Sequence, residues 1–320
     1  MVRHKEFTAE RACPVCGGSH ARYLRTVNSI ALVRCLGCSL VYADISRDTV
    51  ERSNRYGEKE LIHYYIHEPV YTIAYYDLQI DKIIRHALSA FGIRPDKIRL
   101  LEFGCGSGMF LRRARMRGLQ AKGIDNSRYA RIAARAFNLD IIEGDLTEAG
   151  LPHEHFDAVY SHATFEHLYE PGLIARELAR TVKPGGLLIT ASVPNYNTFS
   201  IKVLKNFSFN QPPWHVNFFE PGSLTYLYRA LNLNRIQVMT HGINFWTLLY
   251  RLRALNVTPY KKKVSHFTRT ATDLAADLRR ISNGLDTMKT NFLHRAVALL
   301  YLNLRWYGAG QCVSAWGMKQ

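Results

Sequence analysis

Leu100-Leu101-Glu102-Phe103-Gly104-Cys105-Gly106-Ser107-Gly108 is the stretch on which the fold turns. The apolar run 98–103 reads as a buried strand, and residues 107–117 read as a helix. Glycines between a strand and a helix let the backbone come close to a ligand, and the helix start offers free amide N–H groups to a carboxylate or phosphate. The spacing is GxGxG with an acid two residues before the first glycine, and this differs from the GxGxxG of dinucleotide sites. Glu102 would repel a pyrophosphate and attract an ammonium group. The loop therefore suits a zwitterionic amino-acid ligand better than a dinucleotide.

Downstream of this loop, strand and helix alternate. Residues 121–125 form a second strand and 127–137 an Ala/Arg helix; a third strand lies in LDIIEGD. FDAVYSH (156–162) is a fourth strand, 171–182 a helix and 185–193 a fifth strand. Short loops between such elements imply a parallel sheet covered on both faces, with ligands at the carboxyl ends of the strands. RIQVMTHGI supplies a sixth strand, and GQCVSAWGMK a seventh that pairs with it. The expected fold is α/β: a Rossmann-like seven-stranded sheet, mostly parallel with the last strand antiparallel. Asp125 ends the second strand, where a carboxylate can take ribose hydroxyls, and Asp145 follows the third, where it can accept from an adenine amino group.

Upstream, Cys13-Pro-Val-Cys16 is followed after 18 residues by Cys35-Leu-Gly-Cys38. Two such knuckles can complete a tetrahedral Zn²⁺ site, and four cysteine ligands make it closed and structural. Gly17, Gly18 and Gly37 suit turns that are partly of positive φ. Short strands at ARYLRTV, ALVRC and LVYA complete a ribbon. Three domains are expected: a zinc ribbon over 1–45, a helical linker or lid over 46–95 rich in Tyr and His, and a ligand-binding domain over 96–320. The last carries a helical insertion at 245–309, whose apolar stripe Phe267, Ala271, Leu274, Leu278, Ile281, Leu285, Met288 and Phe292 suits a helical hairpin. A dimer interface or an interfacial membrane surface are the sharper readings of that stripe.

The glycine loop, GIDNS (123–127), EGDL (143–146), FDAVYSHATFEHLYEP (156–171) and Val182-Lys183-Pro184-Gly185-Gly186 together resemble the motifs of the class I S-adenosylmethionine methyltransferases. The chain is also similar to bacterial methyltransferases of deoxysugar and secondary metabolism that carry a CxxC/CxxC ribbon. The resemblance implies S-adenosylmethionine as cofactor, with Glu102, Gly104 and Gly106 at its methionine moiety and Cys105, Asn126 and Leu146 also among the cofactor-binding residues. It implies Asp125 at the ribose, Asp145 at the adenine, and Ser161–His162 beside the sulfonium.

Methyl transfer to an oxygen needs an aligned acceptor and a base that titrates near neutrality, which points to histidine. The candidates are His215, in Pro213-Trp214-His215-Val216-Asn217-Phe218-Phe219, and His162; Glu166-His167 reads as a helix cap. The formal net charge of +16 favours an anionic small-molecule acceptor or, as an alternative, RNA or DNA held by a basic surface and the ribbon. The basic residues are scattered and no aromatic-basic RNA module is present, so a small molecule is favoured. The first residues lack an apolar signal segment, no run approaches a spanning length, and paired CxxC knuckles suit a reducing compartment, so a cytoplasmic enzyme is expected.

Overall fold

The computed structural model describes residues 7–54, 69–198, 201, 211–241 and 312–320. The predicted insertion at 245–309 lies outside the described residues.

Seven strands make the main sheet: β5 (Arg99–Phe103), β6 (Gln120–Asp125), β7 (Ile141–Glu143), β8 (Phe156–His162), β9 (Val182–Pro194), β11 (Leu233–His241) and β12 (Cys312–Lys319). Their order is β11-β12-β9-β8-β5-β6-β7. β5 to β9 run parallel, while β12 lies antiparallel to both β9 and β11. The sixth and seventh strands pair as expected, and the seventh enters the sheet between the fifth and the sixth.

Alternation along the strands sends side chains to two faces. Leu100, Tyr160 and Ile189 pack against Ile80 and Ile83 of α1 (Pro69–Phe91) and Phe110 of α2 (Met109–Met116). Leu101, Phe103, Val159 and Leu188 pack on the other face with Leu178 of α4 (Pro171–Thr181) and Leu224 of α5 (Pro221–Ala230). α3 (Arg128–Phe137) covers the β6–β7 side, capped by Ser127, whose hydroxyl accepts from the Ala130 amide. α2 begins two residues later than the sequence pattern predicts, because Gly108 is left-handed at φ +70° and cannot be its first helical residue. Asp77 of α1 grips Arg113 of α2 through paired contacts of 2.6–3.0 Å, which fixes α1 over the strands.

The cysteine ribbon has its own sheet, in the order β1 (Phe7–Thr8), β2 (His20–Val27), β3 (Ile30–Cys35), β4 (Val41–Asp44) and β10 (Asn217–Phe218). The two knuckles repeat one backbone pattern. Gly17 N–H donates to the Cys13 carbonyl and Ser39 N–H to that of Cys35. Cys13 N–H donates to Gly18 and Cys35 N–H to Leu40. The left-handed residue after each pair is Gly17 (φ 74°) in one knuckle and Ser39 (φ 63°) in the other. Gly18 and Gly37 do not take positive φ; a Cβ at either would meet the Cys16 and Cys35 sulfurs at ordinary contact distances of 3.4–3.8 Å.

The ribbon is not isolated from the main sheet. Cys13, Cys35 and Cys38 belong to the same core as Leu101 and Val159. β10, from the segment after β9, adds directly to β4, with Asn217 opposite Tyr42 and Phe218 opposite Val41.

Candidate active site

The glycine loop meets the carboxyl ends of β5 and β6. Gly104 is left-handed at φ +73°, and a Cβ there would lie 2.4 Å from the Thr164 hydroxyl oxygen, so only glycine fits. Gly106 N–H donates to Asp125 Oδ2 at 2.7 Å, and Ser127 N–H to Asp125 Oδ1 at 2.7 Å, which ties the loop to the end of β6. Asn126 Nδ2 reaches Asp145 Oδ1 at 3.1 Å, linking the second and third acids. Leu146 and Cys105 are buried, the latter with its sulfur against Gly123.

Glu102 is 3 % exposed, and its Oε2 has no hydrogen-bond partner among the described residues. Burial, and secondarily the Asp125 charge, hold its carboxyl well above the usual range. The Leu111 amide serves the carboxyl, but a buried oxygen left without a partner is costly and points to a cationic group that binds there. Ser161, at the end of β8, is likewise buried with its hydroxyl unpaired among the described residues. These orphans fit the ammonium and polar edge of S-adenosylmethionine.

The two candidate histidines fall into different environments. His162 lies among Tyr75 at 5.5 Å, Tyr76 at 5.3 Å and Tyr160 at 6.4 Å between ring centroids. Desolvation by that packing, reinforced by His241, pulls it down to about 3, so it stays neutral. His241 Nε2 is 2.8 Å from the Ser314 hydroxyl, and burial brings it down to about 4.

These depressed values have a direction in pH. His241 is neutral when folded and takes up a proton at about pH 6.5 when unfolded. Its contribution is present above that pH and is lost as pH falls from about 6.5 towards 4. Denaturant titrations of His241→Asn should show a flatter pH dependence in that window, by up to about 1.4 kcal/mol per pH unit. Parallel profiles for variant and wild type would sink the assignment.

His215 sits at 9 % exposure with its ring 4.7 Å from that of His167. Burial, with His167 adding to it, holds it well below the ordinary range. Glu166 closes this cluster, and sequence reasoning missed it. Residues Phe165–His167 form a 3₁₀ turn, and Glu166 is 2 % exposed where a capping glutamate would face water. One donor atom from each of Glu166, His167 and His215 lies within 4.8 Å of the others. Burial raises the Glu166 carboxyl to about 8 and lowers His167 to about 4. Thr164 was missed as well; an isolated Thr carries no pattern that marks it as the roof of a glycine.

The cysteines do converge. Cys13 and Cys38 sulfurs are 3.5 Å apart, Cys16 and Cys35 sulfurs 3.4 Å, and all four lie within 4.8 Å of one another. Thiolates around Zn²⁺ at about 2.3 Å stand roughly 3.8 Å apart, so this donor set fits that ion. No helix among the described residues is long and apolar enough to cross a membrane.

A seven-stranded sheet with its last strand antiparallel, a glycine loop and strand-end acids are the features of the class I S-adenosylmethionine-dependent methyltransferase fold. Residues 101–190 match the family model described as "Methyltransferase domain". Over 103 residues the chain is 33% identical to a Mycobacterium tuberculosis protein named "Probable S-adenosylmethionine-dependent methyltransferase", covering 32% of this chain and 37% of that one. A "Ubiquinone biosynthesis O-methyltransferase" of Rhodopseudomonas palustris is 30% identical over 113 residues, covering 33% of this chain and 45% of its own. The chain thus spans less than half the length of these curated relatives. A SAM-dependent methyltransferase structure from Thermotoga maritima shares the fold, with TM-score 0.50, 17% identity, and coverage of 84% of this chain and 100% of that one.

Proposed function

We propose that this protein transfers the methyl group of S-adenosylmethionine to an oxygen of a small-molecule acceptor, a sugar, lipid-linked compound or secondary metabolite, which the basic charge allows to be anionic. The observation that carries this is the buried Glu102 carboxyl beside the glycine loop, whose Oε2 has no partner among the described residues. The O-methyltransferase relatives, matched over 33% of this chain, favour oxygen as the acceptor atom.

When bound, S-adenosylmethionine supplies an electrophilic methyl on a sulfonium. Glu102 holds the ammonium group, and Gly104 and Gly106 bring the backbone close to the methionine moiety. Each Asp125 oxygen accepts one amide hydrogen and retains a lone pair for a ribose hydroxyl. Asp145, steadied by Asn126, meets the adenine amino group, and Leu146 packs on the ring. Ser161 lines the sulfonium side. The acceptor is seated at the Glu166–His167–His215 cluster, and His215 rather than His162 serves its activation. His215 has a carboxyl and a second imidazole beside it, whereas His162 is enclosed by the rings of Tyr75, Tyr76 and Tyr160.

The four cysteines hold a structural Zn²⁺, which suits a reducing, cytoplasmic compartment. Nucleic acid is the weaker reading, because many described cations already have partners, among them Arg113, Arg117, Arg131, Lys122 and Lys183.

Calorimetric titration with S-adenosylmethionine tests the cofactor, and methyl-labelled cofactor offered with phenols, free sugars and nucleotide-linked sugars tests the acceptor. On the acceptor so found, His215→Asn should lower turnover about 100-fold or more with cofactor affinity unchanged, whereas His162→Asn should cost less than about tenfold. The reverse ranking would refute the assignment.

A further inference from the structure

We propose that Glu166, His167 and His215 bind a divalent first-row metal ion, separate from the one held by the cysteines. The donor set is one carboxylate oxygen and two imidazole nitrogens, all mutually within 4.8 Å. Such a set suits Mn²⁺, Fe²⁺, Co²⁺ or Zn²⁺ and leaves coordination positions open.

Three further observations support it. Glu166 Oε2 is buried and without a partner among the described residues, and a cation at the cluster would satisfy it. His167 Nδ1 lies 3.0 Å from the Trp214 carbonyl oxygen, so Nδ1–H donates there and Nε2 keeps its lone pair. Metal-bound histidines are oriented in this way, by a hydrogen bond from the ring nitrogen that does not bind the metal.

Finally, the two segments that carry the donors are bolted together. Val216 N–H donates to the Glu166 carbonyl at 2.7 Å, and Asn217 Nδ2 donates to the Phe165 and Leu168 carbonyls at 2.9 and 2.7 Å. The donors are therefore placed by backbone and amide contacts of their neighbours, which do not depend on the ion.

The chemical use of the ion rests on the proposed function. An acceptor hydroxyl bound to the ion loses its proton to solvent at lower pH than when free. The resulting oxyanion forms the new O–CH₃ bond as the C–S bond of the sulfonium breaks, and S-adenosylhomocysteine leaves. His215 then acts as a ligand, and acceptors with two adjacent oxygens would bind best.

The test is metal stoichiometry on the full chain. Metal-free protein is titrated with Mn²⁺ followed by electron paramagnetic resonance, and separately with Co²⁺ followed by absorption. The Co²⁺ titration should give two equivalents per chain, and only one should show thiolate-to-cobalt charge transfer. Mn²⁺, which four thiolates do not favour, should give one. Glu166→Gln and His167→Asn should weaken the Mn²⁺ equivalent at least about 100-fold and keep the thiolate equivalent.

One Co²⁺ equivalent and no Mn²⁺ equivalent in the wild type would overturn the proposal. So would retention of the second equivalent by both variants. If a variant misfolds, seen as loss of the thiolate equivalent, the wild-type stoichiometry decides alone. Failure of the wild type to bind S-adenosylmethionine would remove the proposed function and leave the ion site standing.

Discussion

Replacing Glu102 by leucine is expected to move two measurements in opposite directions. Affinity for S-adenosylmethionine should fall about 100-fold or more, because a charge-assisted contact inside the protein contributes roughly 2–5 kcal/mol. The cofactor-free protein should become more stable, because an apolar side chain of similar volume replaces a buried carboxyl with one oxygen unpartnered among the described residues.

The stability gain has a pH signature. The Glu102 carboxyl is raised in the folded state, so the native protein binds a proton that the unfolded chain releases at about pH 4.5. Wild type and variant should be closest in stability below that pH, and the gap should open as pH rises. Calorimetric melting without cofactor, paired with a cofactor titration, reads both effects. Unchanged affinity would remove Glu102 from the ammonium site.

The second large effect is expected at Cys35. Cys35→Ser should release the metal that the four cysteines are proposed to hold and lower the melting temperature by about 10 °C, on the scale of 2–4 °C per kcal/mol. Metal binding supplies most of the folding free energy in small thiolate sites.

The ribbon also anchors part of the candidate active site. Its first knuckle touches α4, where Gly172 N–H donates to the Pro14 carbonyl and a Cβ on Gly172 would lie 2.7 Å from the Val15 carbonyl oxygen. Its last strand holds β10, immediately after His215. Hydrogen exchange at residues 216–218 should therefore quicken in Cys35→Ser, while cofactor affinity changes little. Metal content by mass spectrometry and a melting curve check the first part. An unshifted melting temperature in a metal-free variant would show that the ribbon does not depend on the ion.

The parts of the molecule that were legible from sequence are those where a local pattern carries the physics. Leu100–Phe103 and Phe156–His162 are strands because apolar and β-prone side chains dominate them, with one acid in each, and both form as expected. The four cysteines converge because knuckle spacing is a local constraint.

What escaped depends on partners distant in the chain. The two-residue β10 has no periodicity of its own; it exists because Val41 and Tyr42 offer it an edge. Glu166 resembles a helix cap in sequence, and only the return of the chain at residues 215–217 buries it. His162 could be placed at a strand end, but not among the tyrosines that α1 delivers. Gly18 and Gly37 were expected to serve backbone torsion, whereas their contacts are with sulfur.

The position of β12 bears on how the protein can be made. It lies in the interior of the sheet, hydrogen-bonded to β9 on one side and β11 on the other, yet among the described strands it is the last to be synthesised. Until Cys312–Lys319 emerge, β9 and β11 each present an open row of amides and carbonyls with a strand-wide gap between them. The glycine loop and the ribbon knuckles can form while synthesis continues, but the sheet cannot close before translation has passed residue 319. A nascent chain stalled upstream would hold an exposed slot open to a strand from another molecule, so this stretch is where chaperone protection during synthesis would matter most.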